Sequence, residues 1–137
     1  MFLGLLLASV SAFGQKIEAS QVPVAVKAAF NKQFPGIKEV KWEKEKANYE
    51  ANFKENGNKM AALFDSDGKW LETETGVNAS LLPAGAKEYI AQNYKGAKIK
   101  EVAKLKMANG DENYEAEVKG IDLIFDANGK FIKKMKD

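Results

Sequence analysis

Asp65 and Asp67 stand two residues apart in "FDSDGKW", the spacing with which many calcium loops begin. Such a loop needs a further oxygen ligand at its fifth position and a bidentate glutamate at its twelfth. Here those positions hold Lys69 and Gly76, so an EF-hand is excluded. A shallower calcium site at Asp65 and Asp67, with Glu72 or Glu74 beside it, is one reading. The other is a β-turn, in which Asp65 caps the turn and Gly68 takes a positive φ. The chain has no histidine and no cysteine. That removes Ser-His-Asp chemistry, cysteine nucleophiles, disulfides and Cys/His zinc sites. Carboxylate pairs occur throughout, but none stands in a context that marks a general acid and base. The expectation is a protein that is not an enzyme and has no cofactor, with calcium as the exception to test.

The phrase recurs as "FDANGKF" from Phe125, and its recurrence shows what positions these residues. "SQVPVAVKAAFNKQF" from Ser20 matches "SLLPAGAKEYIAQNY" from Ser80, "IKEV" follows at Ile37 and Ile99, and "NYEA" at Asn48 and Asn113. The order is the same in both copies, so the chain is a tandem duplication covering residues 20–76 and 80–137. Val22, Val26, Phe30 and Phe34 fall on one helical stripe, as do Leu82, Ala86, Tyr89, Ile90 and Tyr94. Pro23 and Pro83 suit a first helical turn, and Gly36 and Gly96 suit the cap beyond the last. Ser80 is placed to cap the second helix.

After each helix the period changes to two. Strands are expected at 37–46, 49–54, 59–65 and 69–75, and at 99–107, 114–119, 121–126 and 130–136. Insertions between the copies are expected in the turns. Short turns between consecutive strands make them antiparallel. Tyr49, Ala51 and Phe53 alternate with Glu50, Asn52 and Lys54. Tyr114, Ala116 and Val118 alternate with Glu115, Glu117 and Lys119. The fold class is therefore α+β: two tandem helix-plus-four-strand repeats forming an antiparallel sheet of about eight strands, with the helices packed on one face. "GVNAS" (76–80) is the linker.

Lys and Arg total 21 against 19 Asp and Glu, a net charge of +2, which favours neither nucleic acid nor an anionic membrane. Residues 1–14 are uncharged and apolar and end in small residues, which resembles a secretory signal peptide too short to span a bilayer. Cleavage before Gln15, or after Ala12, would leave a periplasmic or secreted protein with no membrane insertion and a single domain over 15–137.

The order of helix, Pro35-Gly36, "VKW", Tyr-led strand and FDxDGKW, written twice over residues 20–137, resembles the PepSY-like family of exported bacterial proteins, whose fold is likened to β-lactamase-inhibitory protein. The second copy departs from it: Lys95 precedes Gly96, no Trp follows its "IKEV", and Phe131 stands where the first copy has Trp70. The resemblance implies helices on one side of an antiparallel sheet, no enzymatic activity, and binding or restraint of a peptidase or other envelope protein. The partner itself is unidentified. Glu50, Asn52, Glu115 and Glu117 lie on the face turned away from the helices, a mixed-charge surface for a protein partner. Trp70 at a hairpin tip is its candidate anchor, with a core role for both tryptophans as the alternative. If the leader is read correctly, intact-mass measurement on protein from its native host finds a chain lacking the first 12 to 14 residues; a mass that includes Met1 refutes it.

Overall fold

The computed structural model describes residues 14–136; the expected leader, save Gly14, lies outside them. The chain forms β1 (Gln15–Ile17), α1 (Val24–Gln33), β2 (Lys41–Glu45), β3 (Asn48–Glu55), β4 (Asn58–Asp65) and β5 (Trp70–Val77). The second unit adds α2 (Ala84–Asn93), β6 (Ile99–Met107), β7 (Glu112–Val118), β8 (Ile121–Asp126) and β9 (Phe131–Lys136). The strands lie in chain order in one sheet, and every neighbouring pair is antiparallel. The two units join through β5 and β6, from Glu72↔Met107 to Val77↔Val102. Among the described residues no helix is long and apolar enough to cross a membrane.

Both helical stripes bury as their spacing requires. Val22, Val26, Phe30 and Phe34 pack on Trp42, Ala51, Phe53, Ala62 and Phe64. Phe30 is the hub, with ring centroids 5.0 Å from Phe53, 5.6 Å from Trp42 and 6.5 Å from Phe64. In the second unit Leu82, Ala86 and Ile90 pack on Val102, Ala116, Val118, Leu123 and Phe125, and Tyr89 stacks on Phe131 at 4.4 Å. The two cores are separate clusters under one continuous sheet.

Four expectations change. The sheet has nine strands, because Gln15–Ile17 pairs with β2; three residues are too few to show alternation. Residues 37–40 are not a strand. β2 has only the three-residue β1 on its outer side, whereas its counterpart β6 is paired along both edges and begins at Ile99. Ser80 does not cap α2, which starts after Pro83 without a side-chain cap; Ser80 lies in a preceding 3-10 turn, where its amide donates to Asn78 Oδ1 at 2.8 Å, and Gly76 and Val77 of the expected linker belong to β5. Finally, strands as well as turns absorb the length difference. Asn56-Gly57 and Lys119-Gly120 make the same two-residue turn, and the second hairpin is shorter by two residues on each arm. An even number preserves which side chains face the helices.

The repeated FDxxGK phrase now has a tertiary reason. Asp65 Oδ1 accepts from the amides of Asp67 and Lys69, both at 2.9 Å, and Asp126 Oδ1 does the same for Asn128 and Lys130. The turn so closed is pressed against the first turn of its unit's helix. A Cβ on Gly68 would lie 2.6 Å from the Ala25 carbonyl oxygen, and one on Gly129 would lie 2.9 Å from the Ala86 nitrogen. Gly57 has a similar positive φ but open space around it. Gly57→Ala should therefore cost about 1 kcal/mol for backbone conformation alone. Gly68→Ala should cost clearly more, since α1 must also move. Thermal melts of the two variants decide it; equal losses would mean that the turn does not buttress the helix.

Candidate binding face

Strand alternation assigns each side chain to a face. In β3 and β4, Ala51, Phe53, Ala62 and Phe64 meet α1, so Glu50, Asn52, Ala61 and Leu63 point the other way. Cross-strand register then lines up Glu43, Glu50, Leu63, Glu72 and Met107 in one row. A second row holds Asn52, Ala61, Glu74 and Leu105, and a third Ala103, Glu115, Ile124 and Lys133. Glu50, Asn52, Glu115 and Glu117 do share this face. It is not the mixed-charge, solvated surface their alternation suggested. Glu45, Glu50, Glu72, Glu74, Glu115 and Asp122 are buried, among Leu63, Leu105 and Ile124, while Lys54 and Lys119 are exposed at a strand end and a turn. Alternation specifies a face, not its solvation.

Carboxylates this enclosed favour their neutral forms. Burial, then repulsion from Glu45 and Glu43, raises Glu50 to about 8 against the pull of the Asn52 side chain, whose Nδ2 lies 3.4 Å from Glu50 Oε1. Burial and the neighbouring Glu43 raise Glu45 to about 7. Glu72 reaches about 7 through burial and repulsion from Glu115, with Lys133 opposing. Glu74, 1% exposed, is held well above the ordinary range by burial and then by Glu115. Were Glu74 ionised, neither of its oxygens would have a donor. The protonated form, which carries no charge to desolvate or to repel Glu115, is the one its surroundings favour.

Trp70 is not an anchor on this face. It packs on the helix side against the first core, and its Nε1 donates to Thr73 Oγ1 at 2.8 Å. The opening Trp of β5 has the same alternation as Phe64, its partner in register. Glu72 and Glu74 do not gather round Asp65 either; they lie buried in the rows described above, while Asp67 is exposed at its turn. Among the described residues the three carboxylates that do converge are Glu43, Glu45 and Glu50, with one oxygen of each within 4.8 Å of the others. Their signal was present in "KWEKEKANYE": two glutamates on the side opposite Trp42, and a third brought back by a tight hairpin.

The raised values fix the sign of a pH dependence. The folded chain holds protons on Glu72 and Glu74 that the unfolded chain releases above about pH 4.5, so the stability they contribute is lost as pH climbs through the folded-state values. Melting temperature should fall as pH rises from 5, by about 1.4 kcal/mol of stability per pH unit for each such proton, Glu72's share ending near its folded value of about 7. Glu74→Gln, which imitates the protonated form, should flatten the slope and raise the melting temperature at pH 8. A melting temperature that climbs with pH would contradict this account.

The family profile described as "putative beta-lactamase-inhibitor-like, PepSY-like" matches twice, over residues 9–61 and residues 53–133, as a tandem repeat would. Solved structures of the same fold include a "putative periplasmic" protein from Bacteroides eggerthii, 20% identical, with a TM-score of 0.75 over 83% of this chain and 88% of that one. A DUF2874 family protein from Bacteroides uniformis is 22% identical, with a TM-score of 0.73 over 82% and 87%. A BLIP-like protein from Bacteroides fragilis is 24% identical, with a TM-score of 0.65 over 80% and 82%. No curated protein matches the chain. With its two copies matched in tandem and the fold shared, the chain belongs to the PepSY-like family.

Proposed function

We propose that the protein is an exported, non-catalytic binding module of the periplasm that restrains or regulates a peptidase or other envelope protein. The observation that carries this reading is the sheet face left open by the helices. Of its acidic side chains Glu43 and Glu117 are half-buried and can meet a basic segment of a partner, whereas Glu50 and Glu74 beneath them are buried and favour their neutral forms. The absence of histidine and cysteine supports binding over turnover. The family's inhibitor-like description and the periplasmic description of the B. eggerthii relative support the setting. Glu117 and Asn52 are the half-buried members of the expected set and are the ones a partner can reach without opening the sheet.

Affinity capture from a native envelope extract tests it, with Glu117→Lys as the control. A specific partner should be retained by the native protein, released by raised salt as exposed charges are screened, and lost with the charge reversal. Capture that is indifferent to both salt and Glu117→Lys would place the contact elsewhere. Reproducible turnover of a hydrolase substrate by the purified protein would overturn the non-catalytic reading.

A further inference from the structure

The duplication supplies an internal control for the carboxylate trio. Aligning the copies on "IKEV" places Leu105 and Met107 where the first unit has Glu43 and Glu45. Aligning them on "NYEA" places Glu115 at Glu50. In the second unit Leu105 and Met107 join Ile124 and Met135 in a small apolar cluster on the same face of the sheet. The strand position therefore accepts apolar side chains, and burying them there is favourable. In the first unit the same two positions put carboxylates together, which costs repulsion and desolvation. The fold does not demand that arrangement.

The trio has the form of a ligand set. Glu45 is 7% exposed, and its buried Oε1 has no hydrogen-bond partner. Among the described residues no lysine forms an ion pair with Glu43, Glu45 or Glu50; the Lys44 ammonium turns to the opposite face, bonding the Lys46 carbonyl and lying over the Tyr49 ring. Two ligands come from one strand and the third from its hairpin partner, Glu43↔Glu50, so the backbone holds all three. Oxygens that share a calcium ion at about 2.4 Å lie no more than about 4.8 Å apart. The trio meets that limit. An all-carboxylate set suits a hard cation rather than zinc or copper.

We propose that Glu43, Glu45 and Glu50 bind a hard divalent cation of calcium's size, at a site present in the first repeat and erased in the second. The site is separate from the FDSDG turn, where Asp65 Oδ1 is committed to two backbone amides.

The test uses the purified protein, stripped with chelator, titrated with calcium chloride and in parallel with magnesium chloride, reading melting temperature and heat of binding. One calcium should bind per chain and raise the melting temperature on the order of 5–10 °C at a hundredfold excess over Kd. Glu43→Leu with Glu45→Met, which copies the second repeat, should abolish the shift while leaving the metal-free melting temperature equal or higher. Glu50→Gln, nearly isosteric, should weaken binding at least tenfold and decides the matter if the double variant does not fold. The proposal is overturned if calcium up to about 10 mM has no effect, a range that covers weak extracellular sites. It is also overturned if the shift survives both variants, or is lost instead in Asp65→Asn with Asp67→Asn.

Discussion

Everything in this fold depends on two ten-residue helices that cannot persist alone. An isolated helix of that length is marginal in water, so its stability comes from the surface it covers. Phe30 on Trp42, Phe53 and Phe64 is that interaction in the first unit, and Ile90 among Val102, Val118 and Leu123 is its equivalent in the second. Packing of this kind fixes which face of every strand is apolar. It also fixes the helix entry, because Gly68 and Gly129 bring the FDxxGK turns onto the first helical turns. The most literal repeat in the sequence is thus a brace between a hairpin and a helix.

A sheet covered on one side has a second side free to vary, and the two copies show how far it has varied. Helix-facing positions keep their character: Val26 and Ala86, Phe64 and Phe125, Ala51 and Ala116. On the other side Glu43, Glu45, Glu72 and Glu74 correspond to Leu105, Met107, Lys133 and Met135. The acidic side chains are densest in the first repeat and at the seam, where Glu115 adds to the burial that holds Glu74 well above the ordinary range. Glu72 and Lys133 occupy equivalent places in the two repeats and still feel each other across the face. Duplication therefore preserved the scaffold and left the open face to diverge.

The legible parts of the sequence were those with a period. The stripes at Val22–Phe34 and Leu82–Ile90 were readable because four aligned side chains leave few other placements, and Tyr49/Ala51/Phe53 identified its face for the same reason. Short or unperiodic features were not: β1 has three residues, and Trp70 lies next to a register shift that hides its side. The carboxylates were visible as residues but not as a cluster. "KWEKEK" looks like an ordinary wet strand until Glu50 is folded back beside Glu43. Glu43 and Glu45 flanking Lys44 read as balanced, yet alternation sends Lys44 to the helix side and both acids to the other.

That separation of charge is the physical origin of whatever the open face does. On a helix, Glu and Lys three or four apart would neutralise each other; on a strand, residues one apart cannot. Lys41, Glu43 and Glu45 share one side of β2, and Trp42 and Lys44 the other. The acids then find Glu50 rather than a lysine as their cross-strand neighbour, and the enclosure that follows strengthens their mutual repulsion. Protons relieve it up to about neutrality, and the proposed cation or a basic partner segment would relieve it in their place. Those three remedies compete for the same carboxylates, so occupancy by one is linked to the affinity of the others. On this face the cross-strand neighbour of Glu43 is another acid, while Glu72 at the seam has Lys133 to oppose its repulsion from Glu115.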